Sequence, residues 1–242
     1  MDDSPLTATT AGTAAYAARA VADLGLPADA YRQLESAQRS GAPSLAGLTV
    51  SSLGLGTYLG DDSVRDDERA YDAAVACLRG GINLLDSAIN YRAQRSERVL
   101  GQVLAQLPRL GLRRDQVVVC TKAGFLYHDG TVPRDGAATL RRVFVDSGLC
   151  PPETLAGVHC LHPAFLRDAV EKSLRNLRLA HLDVFYLHNP EAQLDSVPRA
   201  ELRARLRAAF ALCEALCDEG LIGRYGCATW DGLRAAADAP GH

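Results

Sequence analysis

GINLLDSAINY, residues 81–91, is a short apolar run that stops on a carboxylate, Asp86, and reaches a phenol, Tyr91, five residues later. The same construction recurs downstream: VVVCTK (117–122) ends on Lys122, and DVFYLH (183–188) ends on His188. Each run reads as a short buried strand with chemistry at its carboxyl end. In a parallel α/β fold those ends share one rim, so residues far apart in sequence converge there. A carboxylate, a phenol, an ammonium and an imidazole on one rim suggest proton transfer.

Outward from these runs the chain alternates. Strands are predicted at 49–56 (TVSSLGLG), 82–87, 116–122, 183–188 and 222–229, and helices at 65–79, 95–107, 164–178 and 199–219, with a further helix starting near Trp230. Gly80-Gly81 closes the first of these helices as a C-cap, and Pro108 closes the second. Repeated βα units with apolar strands predict a parallel sheet with helices outside it. The interval 123–163 breaks this rhythm. It is rich in glycine and proline and too long for an ordinary connection, so it reads either as a lid over the site or as a decorative insertion. Residues 1–46 read as an extension with Ala-rich helical patches at 13–23 and 28–38, ahead of the βα region at 47–242.

Composition is that of an ordinary soluble globular protein: 242 residues, 48% hydrophobic and 23% charged. A net charge of −3 gives no general attraction to nucleic acid or to an anionic membrane. No apolar stretch approaches the roughly 20 residues of a membrane span, and the N-terminus lacks the cationic and apolar regions of a secretory signal. Seven scattered cysteines, an odd number, fit a reducing, cytoplasmic setting. His159-Cys160-Leu161-His162 has no second pair at ligand spacing, so no metal is expected. Only Lys122 and Lys172 are lysines among 26 basic residues, which makes a lysine at a strand end harder to dismiss as generic surface charge.

Several stretches together resemble the aldo-keto reductases: GLGTY (54–58), GINLLDSAINY (81–91), SERVLG (96–101), VVVCTKAG (117–124), EKSLRNLRLAHLDVFYLHNPE (171–191) and EGLIGRYGCATW (219–230). They occur in that family's order, at close to its spacings, across about residues 47–230. The resemblance implies a TIM-type (β/α)8 barrel and NADPH-dependent reduction of an aldehyde or ketone. The family's catalytic tetrad falls on Asp86, Tyr91, Lys122 and His188. Hydride arriving at a carbonyl carbon leaves an alkoxide-like oxygen that needs a proton. Tyr91 is expected to supply it as general acid, with Lys122 lowering a phenol pKa that is ordinarily near 10. Asp86 would hold Lys122, and His188 would orient the carbonyl oxygen. By the same resemblance Gly56, Thr57 and Tyr58 flank the nicotinamide end of the cofactor, with Asp86 and Asn189 on the same side. Where the family has a Ser-Asn pair this chain reads Ala228-Thr229-Trp230, leaving Thr229 as the polar candidate.

Only about five of the eight strands of such a barrel are readable, so the expected fold is an incomplete (β/α)8 barrel. Strands six to eight of the family, with its nicotinamide-stacking aromatic and its 2′-phosphate pocket, find no counterpart in these residues. Strands one and five would then present open edges. Three accounts stay open: the chain is a truncated version of a longer protein, its barrel is closed by a second copy or a different chain, or the cofactor has been abandoned and residues 1–46 cover part of the gap; the isolated chain is not expected to be a well-behaved monomer. Two other functions stay open: a cofactor-independent acid–base enzyme, such as a dehydratase or isomerase, on the same four residues, and a catalytically idle binding or scaffold subunit. Phe125, Tyr127 and His128, at the start of the 123–163 interval, are expected to shape the pocket for a small carbonyl substrate.

Overall fold

The computed structural model describes residues 6–34 and 47–232. Helix α1 (Thr10–Leu24) opens on Thr9, whose hydroxyl oxygen accepts the Gly12 N–H at 2.9 Å, and closes on Gly25 in the left-handed region. A single 3-10 turn leads into β1 (Tyr31–Gln33), which pairs antiparallel with β2 (Thr49–Ser51). This corrects two expectations. The helix predicted over 28–38 is a turn and a strand as far as Leu34, and the rest of it lies outside the described residues. The strand predicted over 49–56 is two strands, β2 and then β3 (Leu55–Gly56), with the chain bending at Ser52-Leu53 between them.

From there the βα alternation runs through α2 (Val64–Arg79), β4 (Leu84–Asp86), α3 (Arg95–Leu104) and β5 (Val118–Ala123). The 123–163 excursion holds a short helix, α4 (Gly136–Leu140), and a hairpin of β6 (Leu155–Ala156) with β7 (His159–Cys160). Then come α5 (Pro163–Leu177), β8 (Leu182–His188), α6 (Arg199–Asp218) and β9 (Ile222–Ala228). The predicted helix beyond Trp230 falls largely after residue 232, outside the described residues. Strands β3, β4, β5, β8 and β9 form one parallel sheet in that order, and closure into a barrel is not seen among the described residues.

Continuous apolarity of the strands is explained by two cores, one on each face of the sheet. Leu85, Val119, Phe185 and Leu187 pack against the helices with Leu78, Leu100, Phe165 and Leu166. On the other face Val118, Cys120 and Val184 meet Ala8, Leu48 and Val50 from the N-terminal segment. Each fully buried side chain of this size contributes about 1.5–3 kcal/mol. The N-terminal segment also reaches the helical side, where the Tyr16 hydroxyl donates to Leu78 O at 2.6 Å.

Helix α3 is fastened to the sheet by polar as well as apolar contacts. Buried Glu97 accepts from the Thr121 hydroxyl at 2.6 Å and from Asn176 Nδ2 at 2.9 Å, and burial pushes its carboxyl above the ordinary value. Gly101 lets α3 approach α5, because a Cβ there would stand 2.2 Å from the Asn176 carbonyl oxygen. The excursion is anchored on α5 through an aromatic cluster, with Tyr127–Phe144 ring centroids 4.9 Å apart and Phe144–Phe165 at 5.5 Å. The Tyr127 hydroxyl donates to Asp168 Oδ2 at 3.0 Å. Tyr127 is therefore a buried anchor and not a pocket residue, contrary to its expected role.

Candidate active site

Asp86, Lys122 and His188 sit at the ends of β4, β5 and β8, and in-register parallel pairing puts those ends side by side. Asp86 lies opposite Cys120, and Lys122 lies opposite Tyr186, two residues before His188. Alternation along each strand turns Asp86, Lys122 and His188 to the sheet face opposite the helices. Tyr91 arrives from the loop after β4, its N–H donating to Ala88 O at 3.0 Å. The structure thus brings together all four residues singled out from the strand ends.

Lys122 Nζ donates to Asp86 Oδ2 at 2.6 Å and to the Ser87 carbonyl at 2.7 Å, and it stands 5.2 Å from the centroid of the Tyr91 ring. Burial pushes the Asp86 carboxyl up, and the Lys122 ammonium pulls it the other way. Tyr91 is edge-on to His188 with centroids 5.6 Å apart, and Phe125 stands edge-on to His188 at 5.1 Å. Phe125 therefore reaches the rim beside His188.

One electrostatic expectation is overturned. The Tyr91 pKa is not lowered; burial, then Asp86, then Tyr58 push it up to about 12. Lys122 does not offset this: the hydrogen bonds of its ammonium go to Asp86 and Ser87, and the cation faces the ring. His188 moves the opposite way. Burial, reinforced by Lys122 and His159, holds it down at about 3, so the imidazole is neutral at physiological pH. A neutral imidazole donates one N–H without carrying charge, and the Nδ1 of His188 is buried with no partner.

The residues expected on the cofactor side line the same rim. The Thr57 N–H donates to Asp86 O at 3.1 Å, and its hydroxyl donates to Ser87 Oγ at 2.9 Å. Tyr58 is 63% exposed and edge-on to Tyr91 with centroids 5.1 Å apart. A Cβ on Gly56 would meet nothing within 4 Å, so the space beside it is open. The Asn189 N–H donates to Ala228 O at 2.7 Å, which sets Asn189 beside the β9 end where Thr229 follows. Asn189 Oδ1 is buried with no partner, an acceptor available to an amide donor of a ligand. His128, by contrast, donates nothing to this site; its ring lies within 3.3 Å of a Cβ placed on Gly136, and its carbonyl accepts from Gln94.

Three features escaped the sequence reading. Arg92, Ala93 and Gln94, directly after Tyr91, all have positive φ (49°, 53° and 71°) without a glycine among them. The run is held by Arg92, which donates to Asp61 O at 2.7 Å and to Asp67 Oδ1 at 2.6 Å, and by Gln94, which donates to His128 O at 2.9 Å. No residue type announces such a run; it exists because surrounding bonds impose it. Ser87 was visible inside GINLLDSAINY but its carbonyl's part in holding Lys122 was not. Glu191 accepts from the Trp230 N–H at 2.6 Å and so fixes the turn after β9.

Comparison with known proteins places this geometry in context. The model of the Aldo/keto reductase family matches residues 52–239. D-threo-aldose 1-dehydrogenase of a Pseudomonas species is 29% identical over 76% of this chain and 52% of its own length. The NADH-specific methylglyoxal reductase of Escherichia coli is 30% identical over 76% of this chain and 50% of its own. A probable voltage-gated potassium channel subunit beta of rice is 30% identical over 61% of this chain and 36% of its own. The chain therefore spans about half the length of the curated relatives it matches, or less. Among solved structures, a putative aldo-keto reductase of Pseudomonas aeruginosa superposes with a TM-score of 0.52 at 27% identity, covering 76% of this chain and 57% of that one.

Proposed function

The chain belongs to the aldo/keto reductase family, and from that premise we propose that its strand-end rim reduces a small aldehyde or ketone, with Tyr91 as the general acid. The observation that carries this reading is the contact set around Tyr91: the Lys122–Asp86 pair at 2.6 Å, Lys122 Nζ 5.2 Å from the phenol ring centroid, and His188 5.6 Å away, centroid to centroid. A neutral His188 is suited to donate to the carbonyl oxygen, and a phenol of high pKa arrives protonated, as an acid must. Negative charge developing on the substrate oxygen would fall beside the Lys122 ammonium, where it is stabilised.

A nicotinamide dinucleotide would supply the hydride. Gly56, Thr57, Tyr58, Asp86, Asn189 and Thr229 are the residues of this chain proposed to hold its nicotinamide end, and the buried, unpartnered Asn189 Oδ1 fits the carboxamide of that ring. NADPH is the donor the resemblance implies. NADH is the competitor to test, because the related methylglyoxal reductase is NADH-specific. The substrates proposed are small carbonyl compounds of the kinds its relatives are named for, an aldose or methylglyoxal.

The test is cofactor consumption at a fixed aldehyde concentration, with NADPH and NADH in parallel. Tyr91→Phe should lower turnover by about 10²–10⁴-fold, the usual weight of a positioned general acid. Near-normal turnover in that variant would remove Tyr91 from its role. A second reading is favoured by one relative, the potassium channel subunit beta of rice: a chain that binds a partner and turns over little. Cofactor binding, read by quenching of Trp230, without turnover of any carbonyl would select it.

A further inference from the structure

The hairpin of the excursion carries a buried imidazole that the proposed reaction does not use. His159 is 1% exposed, with Nε2 2.7 Å from the His188 carbonyl oxygen and Nδ1 2.8 Å from Gln193 Nε2. The role of every atom in this chain of bonds follows by elimination. Arg205 Nη1, which can only donate, is 2.6 Å from Gln193 Oε1, so that atom is the amide oxygen and Nε2 is the nitrogen. The amide nitrogen can only donate, so His159 Nδ1 accepts and bears no proton. A carbonyl can only accept, so His159 Nε2–H donates to His188. His159 is therefore a neutral imidazole in the Nε2–H form, and burial pushes its pKa down in agreement.

The same contacts reach the His188 ring. Phe125 stands edge-on to both imidazoles, 4.8 Å from His159 and 5.1 Å from His188 between centroids. Gly124 makes the approach possible, because a Cβ there would lie 2.6 Å from both His159 Nε2 and the His188 oxygen. Immediately after that carbonyl, Asn189 takes a left-handed conformation at φ 47°. At the far end Arg205 also donates to Glu153 O at 2.7 Å and Thr154 O at 2.8 Å, tying the base of the hairpin to α6. Hydrogen bonds in such a line polarise one another.

We propose that His159 is a positioning residue for His188. Its Nε2–H holds the His188 carbonyl, its ring holds Phe125 against the His188 imidazole, and Gln193, itself held by Arg205, fixes the ring through Nδ1. The 123–163 excursion thereby contributes a part of the site's own framework. The proposal rests on the reading of His188 as the group that orients the substrate carbonyl.

The experiment uses the full chain, labelled for nitrogen correlation spectra of its imidazoles, together with steady-state turnover of an aldehyde. At neutral pH His159 should show the Nε2–H pattern, and Gln193→Leu, which removes the donor to Nδ1, should shift the Nδ1 signal while the Nε2–H pattern persists. His159→Leu should shift the His188 imidazole and Asn189 amide signals and lower kcat roughly tenfold, the weight of one hydrogen bond, with KM for the cofactor changed less than about twofold. His159→Gln, whose side-chain N–H can reach the same carbonyl, should restore both. If His159→Leu does not fold, Gln193→Leu, which frees the far side of the His159 ring, should shift the same His188 and Asn189 signals by a smaller amount. An Nδ1–H pattern in the parent chain, or unmoved His188 and Asn189 signals in a folded variant, overturns the proposal. Should the parent chain turn over no carbonyl, the hydride-transfer reading falls, while the spectra still decide the positioning of His188.

Discussion

The two ends of the central strands are built on opposite terms. At the amino ends, Asp183 is fully buried and every oxygen has a partner: Oδ1 accepts from the Ala8 N–H at 2.8 Å, and Oδ2 accepts from the Val119 N–H at 2.8 Å and from Arg114 at 2.6 Å. Asn83 likewise bonds to Ser51, Thr49 and Gln116. The amino ends leave Arg114 Nε buried without a partner; at the carboxyl ends Asn90 Oδ1, Arg92 Nη1, His188 Nδ1, Asn189 Oδ1 and Glu191 Oε2 all are, and three consecutive non-glycine residues sit in the left-handed region. Unpaired polar atoms and backbone strain both lower stability, so a fold keeps them only where something else is gained. One end of this sheet holds the molecule together, and the strain and unpaired atoms of the other support the ligand site proposed there.

The largest effect expected from breaking this contrast is at the stable end. Asp183→Ala would leave a half-buried guanidinium and two backbone N–H groups without their acceptor, and should cost about 3–5 kcal/mol in urea denaturation. A loss under about 1 kcal/mol would mean that the amino ends are not the anchor. Acid should act on the other end. Below pH 6.5 the unfolded chain protonates His188 while the folded chain, with a value of about 3, does not, so stability falls as pH falls through that window. The slope is at most about 1.4 kcal/mol per pH unit, and His188→Gln should flatten it; an unchanged slope in that variant would show that His188 titrates normally in the folded state.

A smaller change with the opposite sign tests the strain. Ala93 has φ 53°, where a side chain costs about 1–2 kcal/mol and glycine does not. Set against the greater chain entropy that glycine loses on folding, Ala93→Gly should stabilise by about 0.5 kcal/mol, whereas a loss of 1 kcal/mol or more in thermal unfolding would place the strain elsewhere. The least effect on stability is expected from Tyr91→Phe, within about 0.5 kcal/mol, even as turnover collapses. A stability loss as large as that of Asp183→Ala would erase the distinction between the two ends.

Much of the candidate site could be read along the chain because its residues end strands. The runs before Asp86, Lys122 and His188 are each short, apolar and bounded by polar residues, and parallel pairing then leaves little freedom in where those three residues meet. Tyr91 ends no strand and was legible through its place in the GINLLDSAINY motif. What misled was local: TVSSLGLG looks like one strand, yet β2 and β3 belong to different sheets, because Ser51 and Asn83 bond each other and turn β2 toward β1. The left-handed run at 92–94 and the use of His159 were invisible for a different reason. Both depend on partners 25 to 40 residues away, such as Asp67 and Gln193.

The sequence by itself determined the βα alternation, the identity of the four rim residues and the family, since these rest on periodicity and on motifs a few residues long. Tertiary structure alone decided how those residues are poised. It aimed the Lys122 ammonium at Asp86 and Ser87 while facing it to the phenol ring, raised Tyr91 instead of lowering it, and kept His188 neutral. It also brought His159 out of an irregular excursion to the back of His188. The physical reason is the same in each case: hydrogen-bond direction, burial and electrostatic field depend on distances across the fold, and no local pattern of residues encodes them.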